Sequence, residues 1–174
     1  MKAVLKAGFV LLACALAAIE IATAQPANSP CPSENSAGGT QTLHCEGGVT
    51  IVAENGARFT LQTRGRKGRV DGVELTSKAL LIEVPAKSGG HKFQVTTPQA
   101  IAGVRGTKWA VDAAEGKTSV FVVDGRVAVA PRARRSRGVT LAAGEGVDVE
   151  AGAPLTVKRW APARVSALMA RLGQ

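Results

Sequence analysis

Tyrosine is absent from this 174-residue chain, and aromatic residues of every kind make up 3% of it. That scarcity excludes a surface that stacks nucleobases on a series of rings. Histidine occurs only as His44 and His91, and neither has a sequence-local carboxylate or nucleophile that suggests a catalytic dyad. No phosphate-cradling glycine loop and no zinc-protease pattern is present. Catalysis, a metal and a cofactor are therefore not expected. Acidic residues are outnumbered by basic ones, 13 to 22, so an electrostatic partner should be anionic. Glycine is plentiful but keeps no three-residue period, and 45% hydrophobic content is too high for a disordered chain. The length allows one domain, or two small ones.

Long apolar runs are lacking except near the amino terminus. Lys2 and Lys6 precede the run Ala7 to Ile19, and Ala22-Thr23-Ala24 supplies a small-x-small ending. These are the three parts of a secretory signal peptide, with cleavage predicted after Ala24. An uncleaved anchor is the rival, but the run is shorter than the about 20 residues a spanning helix needs. A second rival is lipidation, because Leu11-Leu12-Ala13-Cys14 resembles the lipobox of bacterial lipoproteins. The expected product is periplasmic or secreted, and basic.

Export changes how the cysteines read. With residues 1–24 removed, Cys31 and Cys45 form an even pair in an oxidising compartment, which predicts a disulfide. Closing a loop of about 15 residues contributes about 3 kcal/mol in the chain-entropy model. A metal pair with His44 would lack a fourth ligand. Residues 25–48 are rich in Pro, Ser, Asn and Gly and read as a linker pinned by that bridge.

From Val49 onward short alternating runs take over. Val49 to Val52 leads to the turn signal Asn55-Gly56, and Arg58 to Thr63 places Phe59 and Leu61 on one face. Val70 to Leu75 alternates, Ala79 to Val84 is apolar, and Lys92 to Thr96 turns Phe93 and Val95 inward. Trp109 and Val111, Val120 and Val122, Val127 and Val129, Val139 and Leu141, and Val147 and Val149 continue the series. Runs with period 2 separated by glycine-containing turns predict a mainly β domain over residues 49–158. Strands this short must stack, either as a two-sheet sandwich or as a short solenoid or roll. Residues 159–174 differ. Pro162 suits a first helical turn, and Val165, Leu168, Met169 and Leu172 recur at helical spacing. The expectation is a C-terminal helix that caps an open end of the stack. Docking on a membrane or partner is the sharper alternative.

One segment carries more than pattern. Val95-Thr96-Thr97-Pro98-Gln99-Ala100-Ile101-Ala102-Gly103-Val104-Arg105-Gly106-Thr107-Lys108-Trp109-Ala110-Val111 resembles the signature of the FecR domain family, roughly V-x-T-P-x-A-x-A-x-V-R-G-T-x-F/W-x-V. Downstream, Thr118 to Val123, Asp124 to Val129 and Val139 to Glu145 resemble that family's following strands, its x-G-x-V-x-V hairpin and its V-x-L-x-x-G-E segment. Within the motif, Pro98 should end a strand, since proline cannot donate to a ladder. Gly103 and Gly106 bracket Arg105, which suggests a sharp turn or a close approach of another strand. Thr107 and Trp109 restart a strand, with Trp109 anchoring the core, and Val104 precedes the arginine. Arg105 has two possible roles: gripping a ligand carboxylate or phosphate, or bonding backbone carbonyls, the role we expect.

The resemblance implies a binding or interaction module rather than an enzyme. Family members of the iron-citrate regulator type sense an outer-membrane receptor in the periplasm and control a sigma factor through a cytoplasmic segment. Only six residues precede the apolar run here, so a stand-alone exported FecR-domain protein is expected. Its partner should be another cell-envelope protein, in signalling or assembly. The competing expectation is an anionic envelope polysaccharide or lipid, held by the loop bearing Arg132, Arg134, Arg135 and Arg137. Arg64, Arg66, Lys67 and Arg69 form a similar basic cluster. Nucleic acid is not an expected partner of an exported chain.

Overall fold

The computed structural model describes residues 30–64, 69–86, 92–104, 106–133 and 137–174. The expected signal peptide with Cys14, and Arg66, Lys67, His91, Arg105, Arg134 and Arg135, lie outside the described residues. No helix among those described is long and apolar enough to cross a membrane.

The chain is mainly β with one C-terminal helix, as its alternation predicts. Its strands form one branched hydrogen-bonded network that curls into two facing layers. The strand that joins them is β5 (Arg69–Val84), after β1 (Ser33–Asn35), β2 (Gln41–Cys45), β3 (Val49–Ala53) and β4 (Arg58–Arg64). Its first half pairs with β4 as far as Ser77, and its second half pairs with β3 and with β8 (Thr107–Ala114) from Lys78 onward. Lys78 sits at that switch with φ 65°, a conformation rare for a residue with a Cβ, and its Nζ donates to the Asn55 carbonyl at 2.6 Å. A bend in a long strand is how a sheet turns a corner.

Layer A runs β1-β2-β3-β5-β8 and continues through β9 (Lys117–Asp124), β12 (Glu145–Glu150) and β13 (Lys158–Arg159). Layer B runs β4-β5 and then β6 (Phe93–Thr96), β7 (Ala100–Val104), β10 (Arg126–Pro131) and β11 (Val139–Ala142). Among the described strands only the neighbours β5 and β6, in layer B, run parallel. The core lies between the layers. Ile51, Leu80, Ile82, Trp109, Val111 and Val122 from layer A meet Val73, Leu75, Val95, Val127 and Leu141 from layer B, all buried. Each such side chain contributes about 1.5–3 kcal/mol by leaving water.

Two sequence expectations change. The segment read as a linker holds β1 and β2, and β2 pairs with β3 along its whole length, Gln41 with Ala53 through Cys45 with Val49. Leu43 and Cys45 reach the core, so the polar composition hid a half-buried strand. The helix α1 (Pro162–Arg171) closes no open end. Leu168 and Leu172, with Val165 and Met169, lie on the outer face of layer A against Ala79, Leu81, Ala110, Phe121 and Trp160. Ala79, Leu81, Ala110 and Phe121 are the alternate strand positions to the core-facing ones, so layer A is apolar on both sides.

Candidate functional site

The described residues of the FecR-like motif make contacts within the fold. Strand β6 ends at Thr96, two residues before Pro98, in line with the expected strand end there. At the turn into β7, the Thr97 and Ala100 backbones are joined at 2.8 Å, and the Ala100 amide donates to Thr97 Oγ1 at 2.9 Å. Thr97 is buried, and its hydroxyl meets Thr118 Oγ1 at 2.7 Å, while Thr118 donates to Gln99 Oε1 at 2.9 Å. Each hydroxyl has one proton, so the chain runs from the amide through Thr97 to Thr118 to Gln99. It ties the β6–β7 turn in layer B to β9 in layer A. Thr107 donates to the Arg126 carbonyl at 3.1 Å, and Val104 turns inward. Trp109 is fully buried, edge-on to Phe93 with ring centroids 6.0 Å apart. Its indole Nε1 has no hydrogen-bond partner among the described residues.

The two motif glycines differ. Gly106 has φ +61°, and a Cβ there would lie 2.6 Å from the Ala86 Cα, so the close approach predicted for it is real. Gly103 has neither a positive φ nor any neighbour for a Cβ within 4 Å. It is an open position on the outer face of layer B, which corrects the expectation that it allows a turn or a crowded crossing.

Cys31 and Cys45 form the expected disulfide, with both residues buried. His44 is exposed beside it, and among the described residues no group of three or more His, Cys, Asp or Glu is placed to hold a metal. The arginine loop is less free than its sequence suggests. Arg132 donates its amide to Gln99 O at 2.8 Å and its Nη1 to Thr97 O at 3.2 Å, and that nitrogen lies 3.7 Å from Glu74. It braces the motif turn. Arg137 is exposed, and Arg64 pairs with Asp71 at 3.0 Å.

Two arginines outside the motif do what sequence reasoning did not foresee, and clamp α1 to layer A. Arg171 donates from Nε and Nη2 to Glu54 at 3.1 and 2.6 Å, and from Nη1 and Nη2 to Asp112 at 2.7 and 3.1 Å. Hydrogen bonds to Asp112 and then Glu54 push its guanidinium above its ordinary value. At the other end, Arg164 lies 3.6 Å above the Trp160 ring and contacts Asp148 at 2.5 Å. Burial alone would raise the Asp148 carboxyl, but hydrogen bonds from Arg164 and Ser119 outweigh it and hold the group below the ordinary carboxylate range. Position along a helix reveals neither clamp, since Glu54 lies 117 residues from Arg171.

The result is an asymmetric molecule. The outer face of layer A carries α1, and no element among those described covers the outer face of layer B. A family model described as FecR protein matches residues 34–128, more than half of the chain. The chain belongs to the FecR family. No curated protein matches it. Two solved structures, each of a candidate anti-sigma factor from Parabacteroides distasonis ATCC 8503, are similar to it with TM-scores of 0.62 and 0.60 at 22% and 20% identity. The similarity covers 80% of this FecR-family chain in both cases, but only 63% and 64% of those proteins. It extends the shared fold beyond the family-model match.

Proposed function

We propose that this chain is an exported, non-enzymatic FecR-type interaction module that contacts another cell-envelope protein in signalling or assembly. Family membership, the signal-like amino terminus and the resemblance in fold to candidate anti-sigma factors support the reading. The observation that carries it is β4, the longer of the two free edges of layer B among the described residues. Among the described residues strand β4 pairs with β5 alone, so one side of a seven-residue strand offers backbone donors and acceptors. Seven residues extend about 23 Å, enough for an added partner strand. Phe59 and Leu61 on β4 pack against the core yet remain half-buried, and an added strand would complete their cover. Arg58 and Arg64 flank them, as charges often do on edges that must not pair indiscriminately.

Site-specific photo-crosslinking in cells tests this. A photo-reactive residue at Gln62 on β4 should capture one reproducible envelope protein, and the same residue at Glu115, in the β8–β9 turn, should not. Equal capture from both positions, or polysaccharide in place of protein, would overturn the assignment.

A further inference from the structure

We propose that a recess on the outer face of layer B binds an acidic sugar, a ring carrying one carboxylate and several hydroxyls. This goes beyond the protein-partner reading and does not depend on it. Strand register aligns Gln94, Gly103, Ala128 and Thr140 in one row across β6, β7, β10 and β11. In the middle of that row the floor has no side chain at Gly103 and a methyl group at Ala128, while Gln94 and Thr140 stand on either side. The hollow has a volume of about 430 Å³, within the range of small-molecule sites. Backbone geometry does not demand glycine at 103, and packing does not either, because a Cβ there would meet nothing within 4 Å. Open space is what the glycine leaves.

The chemistry of the lining selects the ligand. Lys92 and Arg126 stand at the rim, and among the described residues no Asp or Glu lines the hollow. Neither cation has an ion pair among the described residues, whereas Arg64, Arg132, Arg164 and Arg171 each have one. A guanidinium and an ammonium without a local carboxylate favour a ligand carboxylate, and the guanidinium can hold it bidentately. The Gln94 amide and the Thr140 hydroxyl offer both donors and acceptors to neutral hydroxyls. A peptide fits less well. Strands β6, β7 and β10 are each paired on both sides, so none can accept an added strand, and the open edge of β11 is only four residues long. The large exposed apolar side chains among the described residues, Val123 and Val157, lie outside layer B, so the face lacks the anchors that dominate protein interfaces.

The test is titration of the full isotope-labelled chain with D-galacturonate, followed by amide chemical shifts. Shifts should centre on Gln94, Gly103, Ala128 and Thr140, and neutral D-galactose should bind about tenfold more weakly, as expected when a charged hydrogen bond is lost. Arg126→Ala should weaken galacturonate by a similar factor. Gly103→Gln should fill the hollow and abolish binding with an unchanged melting temperature. Ala128→Gln supplies a second blocking variant if the first unfolds. Trigalacturonate binding more tightly at the same residues would identify a polymer as the source, and equal binding a free or terminal sugar. The proposal is overturned by absence of galacturonate binding, by shifts centred on residues 132–137, by binding that survives both blocking variants, or by equal competition from inorganic phosphate. Stronger binding of a glutamate-rich peptide at these residues would also overturn it. Substitutions on the β4 edge should leave galacturonate binding intact, which separates this proposal from the protein-partner reading.

Discussion

Replacing Arg171 by Met keeps most of its aliphatic stem but removes the guanidinium that joins Glu54 to Asp112. Exposed ion pairs contribute about 0–1 kcal/mol, whereas stripping one partner from a buried pair costs about 3–5 kcal/mol. Arg171 lies between these limits. Its side chain is 41% exposed, but the carboxylates it would abandon are only 15% and 21% exposed. Two half-buried anions would then face each other beneath the end of α1. A loss of about 2 kcal/mol is expected, equivalent to a fall in melting temperature of about 6 °C for a chain of this size. Trp160, stacked on Phe121 under the helix with ring centroids 5.0 Å apart, should report the loosening by fluorescence. The same substitution in a Glu54→Gln, Asp112→Asn background should cost much less, because no charges are left unpaired. An equal cost in both backgrounds would mean that the arginine acts through its packing, and the clamp argument would be refuted.

Gly106→Ala should cost at least about 2 kcal/mol, since the left-handed conformation alone costs about 1–2 kcal/mol and the new Cβ meets backbone; a urea midpoint close to that of the parent would contradict this. Trp109→Phe should be far milder than the about 3–5 kcal/mol of a Trp→Ala change, because losing the unpaired indole N–H relieves about 1–3 kcal/mol of desolvation and offsets lost volume. Comparable losses for the Phe and Ala variants would disprove it. Asp148 has its carboxyl lowered in the folded state, so the unfolded chain takes up the proton first as pH falls. The stability it contributes is full above the ordinary carboxylate value of about 3.9 and disappears as pH drops through the folded value. The melting-temperature gap between the parent and Asp148→Asn should therefore narrow below about pH 4, and a constant gap would show that the carboxylate charge is irrelevant.

The strands from β3 onward were legible because alternation records which side of a pleat meets the core. Phe59 and Leu61, or Val120 and Val122, face inward as their spacing implies. What escaped were features that alternation cannot encode. Strand β2 reads as linker because Gln41, Thr42 and His44 are polar, yet its alternate residues Leu43 and Cys45 are buried. Residues 70–75 and 79–84 read as separate strands because nothing in Thr76, Ser77 and Lys78 announces a bend in place of a break. The motif was recognisable as a string, but its hydroxyl chain joins Thr97 to Thr118 across 21 residues, a pairing with no sequence periodicity. Arginine content marked a loop as a binding surface, while Arg132 there was already braced against the Thr97 carbonyl.

The bend at Lys78 leaves the two layers with β5 in common. Strands of one layer hydrogen-bond to its first half and strands of the other to its second half, on both sides. Neither layer can fray from its centre without stripping partners from the strand that also anchors the other. The two should exchange amide hydrogens as one cooperative unit, with β5 the last segment to open and no stage at which one layer melts while the other persists.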